Sequence, residues 1–441
     1  MATKRQLENE CKRRNRDRCV TTNGKRTCGQ FCKSLGTSVL ISGNANWKRV
    51  KTNLVKEYVD RADMPTIILT VHSEWDEILE QTTAEGAIRG FMSSGPNDRS
   101  FHALLGLRQT QILHLIDKTA DEFRMDRKDE MLTYAEGFLA ILQKMYPLSL
   151  PAMIQLAKES DDRICRIGRS KQVPVTFLDK ISGNWQGGII FRRLLTRMQD
   201  IFEWVTDENC ASNYCFLSGV PAGVPFMVFH QHSSSQTVMN GFLKEELENI
   251  RKRYGRFRVI LDDAAFTNAQ DELLQYLMRQ MRLRNLEVIV CSNNAPEMLM
   301  GESYLKLFES MAVFPHDSET TTEQITKTFG PYRYHEVMMG AAGFAWNPIA
   351  AKKNANYTMH AEERLKVRGN DLKASCNLLF RKGDQVALKL GTASKTVELV
   401  PIAAFYSERE HGLKIADRWK RDKEEKRKVG GNTYDQICSK S

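Results

Sequence analysis

Long apolar runs are missing from this chain of 441 residues. No stretch approaches the roughly 18–20 consecutive apolar residues that a membrane-spanning helix needs, and the basic N-terminus has no apolar segment behind it. We therefore expect a soluble protein that is not secreted and has no membrane span. Hydrophobic residues make up 41% and charged residues 27% of the chain, an ordinary globular balance with enough apolar material for a core.

Motifs of several enzyme classes are missing as well. The nine histidines form no H-x3-H or HExxH pattern, which argues against a catalytic zinc, and no GxSxG or cysteine-centred nucleophile motif occurs. The ten cysteines lack the pairing density of a disulfide scaffold. A structural zinc site near the N-terminus stays an open alternative although the tight CxxC spacing is absent; its four candidates are Cys11, Cys19, Cys28 and Cys32.

Positive charge is present and unevenly placed. The net charge is +10 with a pI near 9.0, and residues 1–33 hold ten Lys or Arg against three acids. A second charged run, RWKRDKEEKRKVGG, lies near the C-terminus and is partly self-neutralised. Clustered positive charge favours the binding of a polyanion such as nucleic acid. A solvated terminal tail explains the same charge equally well.

Strand and helix patterns alternate along much of the chain. TSVLISG predicts a buried strand followed by a helix, and PTIILTVH predicts a second strand that is buried on both faces. Further strand patterns alternate with helical ones after residue 225, whereas residues 100–210 show helical spacing alone. The sequence therefore predicts an α/β fold in which a mostly parallel sheet carries helices on both faces, plus an all-α insertion domain.

These patterns divide the chain into five predicted segments. DQVALKLG and KTVELVPIAAFY are expected to form an antiparallel hairpin on one edge of the sheet. The segments are a basic, cysteine-containing arm at 1–36, the first part of the sheet domain at 37–95, a helical insertion domain at 96–215, the second part of the sheet domain at 216–406, and a charged tail at 407–441.

Two carboxylates follow an apolar strand in the segment VILDDA. Ligands of open α/β sheets bind at the carboxyl ends of the strands. Asp262 is therefore expected to hold the Mg²⁺ of a bound nucleotide, and Asp263 to orient or deprotonate the attacking water. A cap on the next helix is the alternative for both acids. The nearby strand VIVCSNN ends in Asn293, a candidate for sensing the γ-phosphate or positioning the water.

The segment SGNANWKRVKTN lies where a phosphate-binding loop is expected, between the first strand and its helix. Such a loop needs glycines that let backbone N–H groups surround the phosphates, a lysine for the phosphate oxygens and a hydroxyl for Mg²⁺. Gly43 is present, but the glycine that normally precedes the lysine is not. Either Lys48 is the lysine, or Lys51 and Thr52 form the lysine–hydroxyl pair; we prefer the second register. A loop without nucleotide affinity is the remaining alternative.

The order of these elements resembles the FtsK/HerA superfamily of DNA-pumping ATPases. That superfamily includes the coupling proteins of type IV secretion and conjugation and the poxvirus-type genome-packaging ATPases. The resemblance rests on the strand–loop–helix at 38–59, the helical insertion, VILDDA, the arginine-bearing LMRQMRLRN, VIVCSNN and the closing hairpin. It implies a P-loop NTPase (RecA-like) sheet domain with a degenerate phosphate loop, in a cytoplasmic or virion-associated protein.

The resemblance also implies roles for single residues. Asp262 matches the Mg²⁺-binding acid, Asp263 stands where a catalytic Glu is more common, and Asn293 stands where Gln is common. Lys51 and Thr52 match the phosphate-loop pair if the loop has extra length. One of the arginines of LMRQMRLRN is a candidate finger reaching into a neighbouring subunit; these are Arg279, Arg282 and Arg284.

Two classes of function follow from these features. The first is an ATP-driven nucleic-acid translocase or packaging motor that uses ATP and Mg²⁺, forms a homo-oligomeric ring, moves DNA and docks on a capsid or secretion channel. The second is a non-hydrolysing adaptor that keeps the fold and binds nucleic acid or a partner ATPase. A metabolic nucleotide-binding enzyme is a distant third, since the helical insertion and the terminal basic charge fit it poorly.

Overall fold

The computed structural model describes eleven stretches of the chain. They are residues 4–14, 19–21, 28–60, 64–71, 90–92, 104–202, 226–230, 235–339, 357–373, 385–390 and 397–405. The predicted charged tail at 407–441 lies outside them. Within them, no helix combines the length and the apolar character that crossing a membrane requires.

A ten-stranded sheet forms the centre of the described chain, in the order β1-β12-β11-β8-β2-β7-β6-β3-β5-β4. Seven adjacent strands from β8 to β4 are parallel, and β11 is antiparallel to both its neighbours. The strands are β1 Cys19–Thr21, β2 Ser38–Ser42, β3 Thr66–Thr70, β4 Gly90–Met92, β5 Phe226–His230, β6 Arg258–Asp262, β7 Glu287–Ser292, β8 Ser310–Val313, β9 Pro331–Met339, β10 Tyr357–Leu365, β11 Gln385–Lys389 and β12 Val397–Pro401.

Thirteen α-helices accompany the strands in the described residues. They are α1 Lys4–Arg14, α2 Cys28–Ser34, α3 Lys48–Asp60, α4 Gln109–Glu122, α5 Lys128–Gln143, α6 Leu150–Ala157, α7 Asp161–Ser170, α8 Val175–Asp179, α9 Trp185–Ile201, α10 Gln236–Tyr254, α11 Glu272–Arg282, α12 Ala295–Met298 and α13 Glu319–Phe329. Short 3-10 turns are also present, including Ala45–Trp47 directly before α3.

The sheet is apolar on both faces because its central strands are covered on both sides. Side chains alternate along a strand, so Leu40 lies in one hydrophobic cluster and its neighbours Val39 and Ile41 lie in the other. The first cluster continues into the helices from α4 to α11. The second lies under α2 and α3. This is the predicted α/β architecture with helices on both faces.

The six helices α4–α9 follow one another between β4 and β5 and form the all-α part of the fold. Their apolar sides interlock around α5, whose Tyr134 and Phe138 rings lie 5.6 and 5.0 Å from the ring of Phe191 on α9. The same hydrophobic cluster reaches the sheet through α10, a helix with buried residues on several sides. The five predicted domain boundaries stay predictions.

Two features of the sheet differ from the sequence-based expectation. The hairpin of β11 and β12 exists, with Ala387 opposite Leu399, but it does not form the edge, because β1 from the basic arm pairs in parallel with β12. A three-residue strand such as β1 has too short an apolar pattern to be recognised. The other surprise is a separate antiparallel ribbon of β9 and β10, whose residues Pro331 and Leu365 face each other at one end.

Candidate functional site

Five of the predicted site residues lie together at the carboxyl edge of the parallel sheet: Gly43, Lys51, Asp262, Asp263 and Asn293. The strands β2, β6 and β7 are parallel neighbours, so their polar C-terminal residues emerge on the same side. The Lys51 ammonium donates to Asn293 Oδ1 at 2.5 Å. Asn293 in turn donates to Asp263 from its backbone N–H at 2.8 Å and from Nδ2 at 2.9 Å. Lys51 and Asn293 are 242 positions apart in the sequence, so only the fold brings them together.

Of the two candidate lysines, Lys51 has its ammonium bonded at this edge, and its role as the phosphate-loop lysine stays a prediction. It lies one turn inside α3, which begins at Lys48, and its side chain is only 2% exposed. Its ammonium also donates to the carbonyl oxygen of Gly43 at 2.8 Å. Lys48, the alternative candidate, is half-buried at the first residue of the same helix. The ammonium of Lys51 therefore joins α3 to the ends of β2 and β7.

The two neighbouring acids Asp262 and Asp263 lie in different environments. Asp262 accepts a hydrogen bond from the Thr70 hydroxyl at 3.2 Å, across the β3–β6 pair. Asp263 has a φ of +47°, a left-handed conformation that costs a non-glycine residue roughly 1–2 kcal/mol. Its N–H donates to the carbonyl of Cys291 at 2.8 Å. Because both its carboxylate oxygens accept bonds from Asn293, Asp263 is oriented along the sheet edge.

The segment that would surround a phosphate has its backbone donors engaged. Between Gly43 and Lys48, five of the six backbone N–H groups donate to oxygens of the protein. Gly43 donates to the Ser292 carbonyl, Asn44 to the Pro315 carbonyl, Asn46 to Asn44 Oδ1, Trp47 to the Asn44 carbonyl and Lys48 to the Ala45 carbonyl. Phosphate binding at a helix N-terminus needs such groups to point at the anion.

Gly43 is required here by packing. A Cβ on this residue would lie 2.5 Å from Cβ of Phe314, at the end of the adjacent strand β8. Asn44 then begins the 3-10 turn, with its side chain donating to Asp317 Oδ2 at 2.8 Å. The single glycine that pointed to a phosphate loop therefore has a structural reason of its own.

A buried histidine that sequence reasoning missed lies at the same edge. His316 is 2% exposed, and its Nε2 lies 3.1 Å from the hydroxyl oxygen of Ser42. Burial lowers the pKa of His316 to about 4, and the positive charge of Lys51 adds to the effect while Asp317 opposes it. The imidazole is therefore neutral at pH 7. Thr70 was missed as well; both residues follow strands whose adjacency only the fold reveals.

Binding of the predicted nucleotide would require these residues to change their bonding. A phosphate would have to displace the Lys51 ammonium from two acceptors and rebuild the 43–48 turn. Thr52 is half-buried on α3 without a hydrogen bond to the acid pair in the described residues. Asp262 offers one carboxylate, and a nucleotide-bound Mg²⁺ takes most of its other ligands from phosphates and water. No group of three or more His, Cys, Asp or Glu side chains in the described part of the chain is arranged to hold a metal ion by protein ligands alone.

The remaining candidates lie away from this edge. The three arginines lie at or just beyond the C-terminal end of α11, next to the start of β7 and so at the opposite edge of the sheet, and Arg284 pairs with Glu309 at 2.8 Å. A role in a neighbouring subunit stays a prediction. Of the four cysteines considered for zinc, Cys11 is buried on α1 and Cys32 is buried on α2, where its thiol donates to the Leu54 carbonyl at 3.6 Å. The side chains of the other two lie outside the description.

No model of a known protein family matches this chain, and no curated protein does either. Two solved structures of the bacterial conjugative coupling protein TrwBdeltaN70 match it along most of its length. The trigonal form in complex with sulphate has a TM-score of 0.51 and 12% sequence identity, and the match covers 91% of this chain and 92% of that one. The unbound monoclinic form gives a TM-score of 0.51 and 12% identity, with 91% of each chain covered. The predicted P-loop NTPase fold of the coupling proteins is thereby confirmed.

Proposed function

We propose that this chain is a non-hydrolysing protein with the P-loop NTPase fold, an adaptor that binds nucleic acid or a partner ATPase. The observation that carries the proposal is the internal bonding of residues 43–51. Five backbone donors and the Lys51 ammonium, the groups that would hold ATP phosphates, are satisfied by oxygens of the protein itself. Breaking a hydrogen bond to a charged group without replacement costs roughly 1.5–3 kcal/mol.

A second candidate is the ATP-driven DNA translocase or packaging motor. The convergence of Lys51, Asp263 and Asn293 next to Asp262 favours it, because a motor of this fold needs a lysine, acids and a polar side chain close together at this edge. In this candidate function Lys51 would bind the phosphates, and Asp262 and Thr52 would bind the Mg²⁺. That function requires the segment 43–50 to rearrange, so that its backbone N–H groups face outward.

Nucleic acid is the one proposed partner that both candidates share. Nucleic acid is favoured by the net charge of +10. A homo-oligomeric ring, a capsid or secretion-channel partner, and a cytoplasmic or virion-associated location belong to the motor. An adaptor would instead bind beside an active ATPase of similar fold and add a charged binding surface to that complex.

The experiment that separates the candidates is the binding of a fluorescent ATP analogue to the full chain, with and without Mg²⁺. We expect no Mg²⁺-dependent binding with a dissociation constant below about 1 mM, which corresponds to a binding free energy of about −4 kcal/mol. The matched variants are Lys51→Ala and Lys48→Ala, with Lys56→Ala as the control on the same helix, each checked for folding by circular dichroism. We also expect no DNA-stimulated ATP turnover.

The opposite result would establish the motor. Mg²⁺-dependent binding that disappears in Lys51→Ala but persists in Lys48→Ala would show that the loop opens for nucleotide in the preferred register. Turnover stimulated by DNA and abolished by Asp262→Ala would assign hydrolysis to this site. The turnover result would refute the non-hydrolysing adaptor.

A further inference from the structure

The four residues that follow β8, the 314–317 segment, lie against the turn that precedes α3. The N–H of Phe314 donates to the Ser42 carbonyl at 2.7 Å. In the opposite direction, the N–H of Asn44 donates to the Pro315 carbonyl at 3.0 Å. Because β2 and β8 are parallel neighbours, the chain leaves both strands at the same edge of the sheet. The 314–317 segment therefore fixes the conformation of the turn.

A side-chain contact joins the same two segments. Asn44 Nδ2 donates to Asp317 Oδ2 at 2.8 Å, and Asn44 Oδ1 accepts from the Asn46 N–H at 3.1 Å. Asn44 is only 9% exposed, whereas Asp317 lies at the surface. A hydrogen bond to a carboxylate is roughly twice as strong as one between neutral groups. Asn44 thus holds the turn together through its side-chain oxygen and binds the 314–317 segment through its side-chain nitrogen.

The 314–317 segment is itself held by contacts outside the turn. The N–H of His316 donates to the Leu372 carbonyl at 2.7 Å, and His316 pairs with Lys373 in an isolated parallel bridge. Lys373 forms an ion pair with Glu319, the first residue of α13, at 2.8 Å. The segment that carries Asp317 is therefore anchored to residues that do not belong to the turn.

The contact between Asn44 and Asp317 opposes a phosphate-binding conformation of the turn. The N–H of Asn44 is one of the donors that such a turn would direct at the anion, but it points at Pro315. Redirecting this N–H rotates the backbone of Asn44 and moves its side chain away from Asp317. A contact present only in the closed conformation lowers the population of the open one, and the apparent affinity for a ligand of the open conformation falls in proportion.

We propose that the Asn44–Asp317 contact is an autoinhibitory latch that keeps the turn before α3 closed to nucleotide. The latch rests on the proposed function, in which the chain does not bind ATP, and supplies its physical cause: Lys51 and the N–H donors are present but engaged. When the latch is broken, the turn opens and the Lys51 ammonium exchanges the oxygens of Gly43 and Asn293 for phosphate oxygens. The latch controls the binding of nucleotide and not its hydrolysis.

The first test measures opening of the turn without nucleotide, by amide hydrogen exchange of the full chain and mass spectrometry of peptides that cover residues 43–48. Asp317→Ala removes the acceptor for Asn44, whereas Asp317→Asn removes the charge but keeps an oxygen that accepts from Asn44. Glu323→Ala removes an exposed carboxylate from α13 and is the charge control. Since a hydrogen bond to a charged group corresponds to roughly a tenfold change in an equilibrium constant, we expect about tenfold faster exchange in Asp317→Ala. The other two variants should stay within about threefold of wild type.

The second test is the binding of a fluorescent ATP analogue in the presence of Mg²⁺, with each variant checked for folding by circular dichroism. We expect the dissociation constant of Asp317→Ala to lie at least about tenfold below that of wild type, the same factor as in the exchange measurement. Combining Asp317→Ala with Lys51→Ala should abolish the gain, because the open turn then lacks the ammonium that binds the phosphates.

Three outcomes overturn the latch. They are wild-type exchange of the turn in Asp317→Ala, equal behaviour of Asp317→Asn and Asp317→Ala, and binding of the analogue by Asp317→Ala that is no tighter than in wild type. Failure of the proposed function has a different signature, since wild type itself would then bind the analogue with a dissociation constant below about 1 mM. The latch is tested instead by the ratio between Asp317→Ala and wild type, which can be measured in either case.

Discussion

At the scale of single residues, the buried ammonium of Lys51 contributes to the stability of the fold. Its ammonium is nearly inaccessible to water and has two oxygen partners, Gly43 O and Asn293 Oδ1. A buried charge is tolerated only when such partners replace its hydration. Asn293 uses its N–H groups for Asp263 and its oxygen for Lys51, so the chain of bonds from α3 to β6 is complete.

We predict that Lys51→Met lowers the free energy of unfolding by about 2–4 kcal/mol, because it leaves two buried oxygen acceptors without their charged donor. Urea denaturation of the full chain followed by circular dichroism measures the change. Thr52→Ala is the matched control on the same helix and should stay within about 0.5 kcal/mol of wild type. A Lys51→Met protein as stable as the control would show that the ammonium is not part of the fold.

His316 provides a pH-dependent test at the same scale. Its pKa is about 4 in the folded chain against an ordinary value of 6.5. Above pH 6.5 the imidazole is neutral in both states and has no effect. Between pH 6.5 and 4 the unfolded chain takes up a proton that the folded chain refuses, so stability falls as the pH falls. The difference of 2.5 units corresponds to about 3 kcal/mol at pH 4.

We predict that His316→Gln removes this part of the acid sensitivity. The stability of wild type should fall by about 3 kcal/mol more than that of the variant between pH 7 and pH 4, measured as paired urea titrations at each pH. Taking the difference between the two proteins cancels the titration of carboxylates common to both. Parallel pH profiles for the two proteins would show that His316 is not buried as a neutral base.

At the scale of elements, the sequence predicted the strands of the sheet better than the turn that defines the site. Runs such as SVLIS and VILD are apolar and short, and burial on both faces leaves them few alternatives. The position of Asp262 at a strand end followed directly from that pattern. The conformation of the turn before α3 did not, because it depends on backbone bonds from Gly43 to Ser292 and from Asn44 to Pro315, which are distant in sequence.

The same distance explains the elements that the sequence did not reveal. His316 and Thr70 reach the site because β8 and β3 flank the strands that carry Ser42 and Asp262. The β9–β10 ribbon has nine paired positions but few buried residues. It therefore has neither the continuous apolar run of a central strand nor the strict alternation of a strand with one buried face. The hydrophobic pattern of a sequence indicates which residues are buried. It does not indicate which polar residues, or residues far apart in sequence, contact one another.

At the scale of the whole molecule, the helical part and the sheet share one continuous hydrophobic cluster. The cluster extends from Leu40 and Leu69 in the sheet to Phe138 and Phe191 in the helices. Its bridge is α10, where the ring of Phe242 meets that of Phe202, at the end of α9, edge to face at 5.1 Å. The helical part is therefore held in place by the same core that holds the sheet.

We predict that Phe242→Ala lowers the free energy of unfolding by about 3–5 kcal/mol, as expected for a large ring removed from a fully buried position. Because the cluster is continuous, amide hydrogen exchange should accelerate together in α5 and α9 of the helical part and in β6 and β7 of the sheet. Tyr146→Ala, at a side chain that is 55% exposed, is the control and should leave both sets of amides unchanged. Faster exchange in only one of the two parts would contradict a shared core, because it would show that helices and sheet open independently.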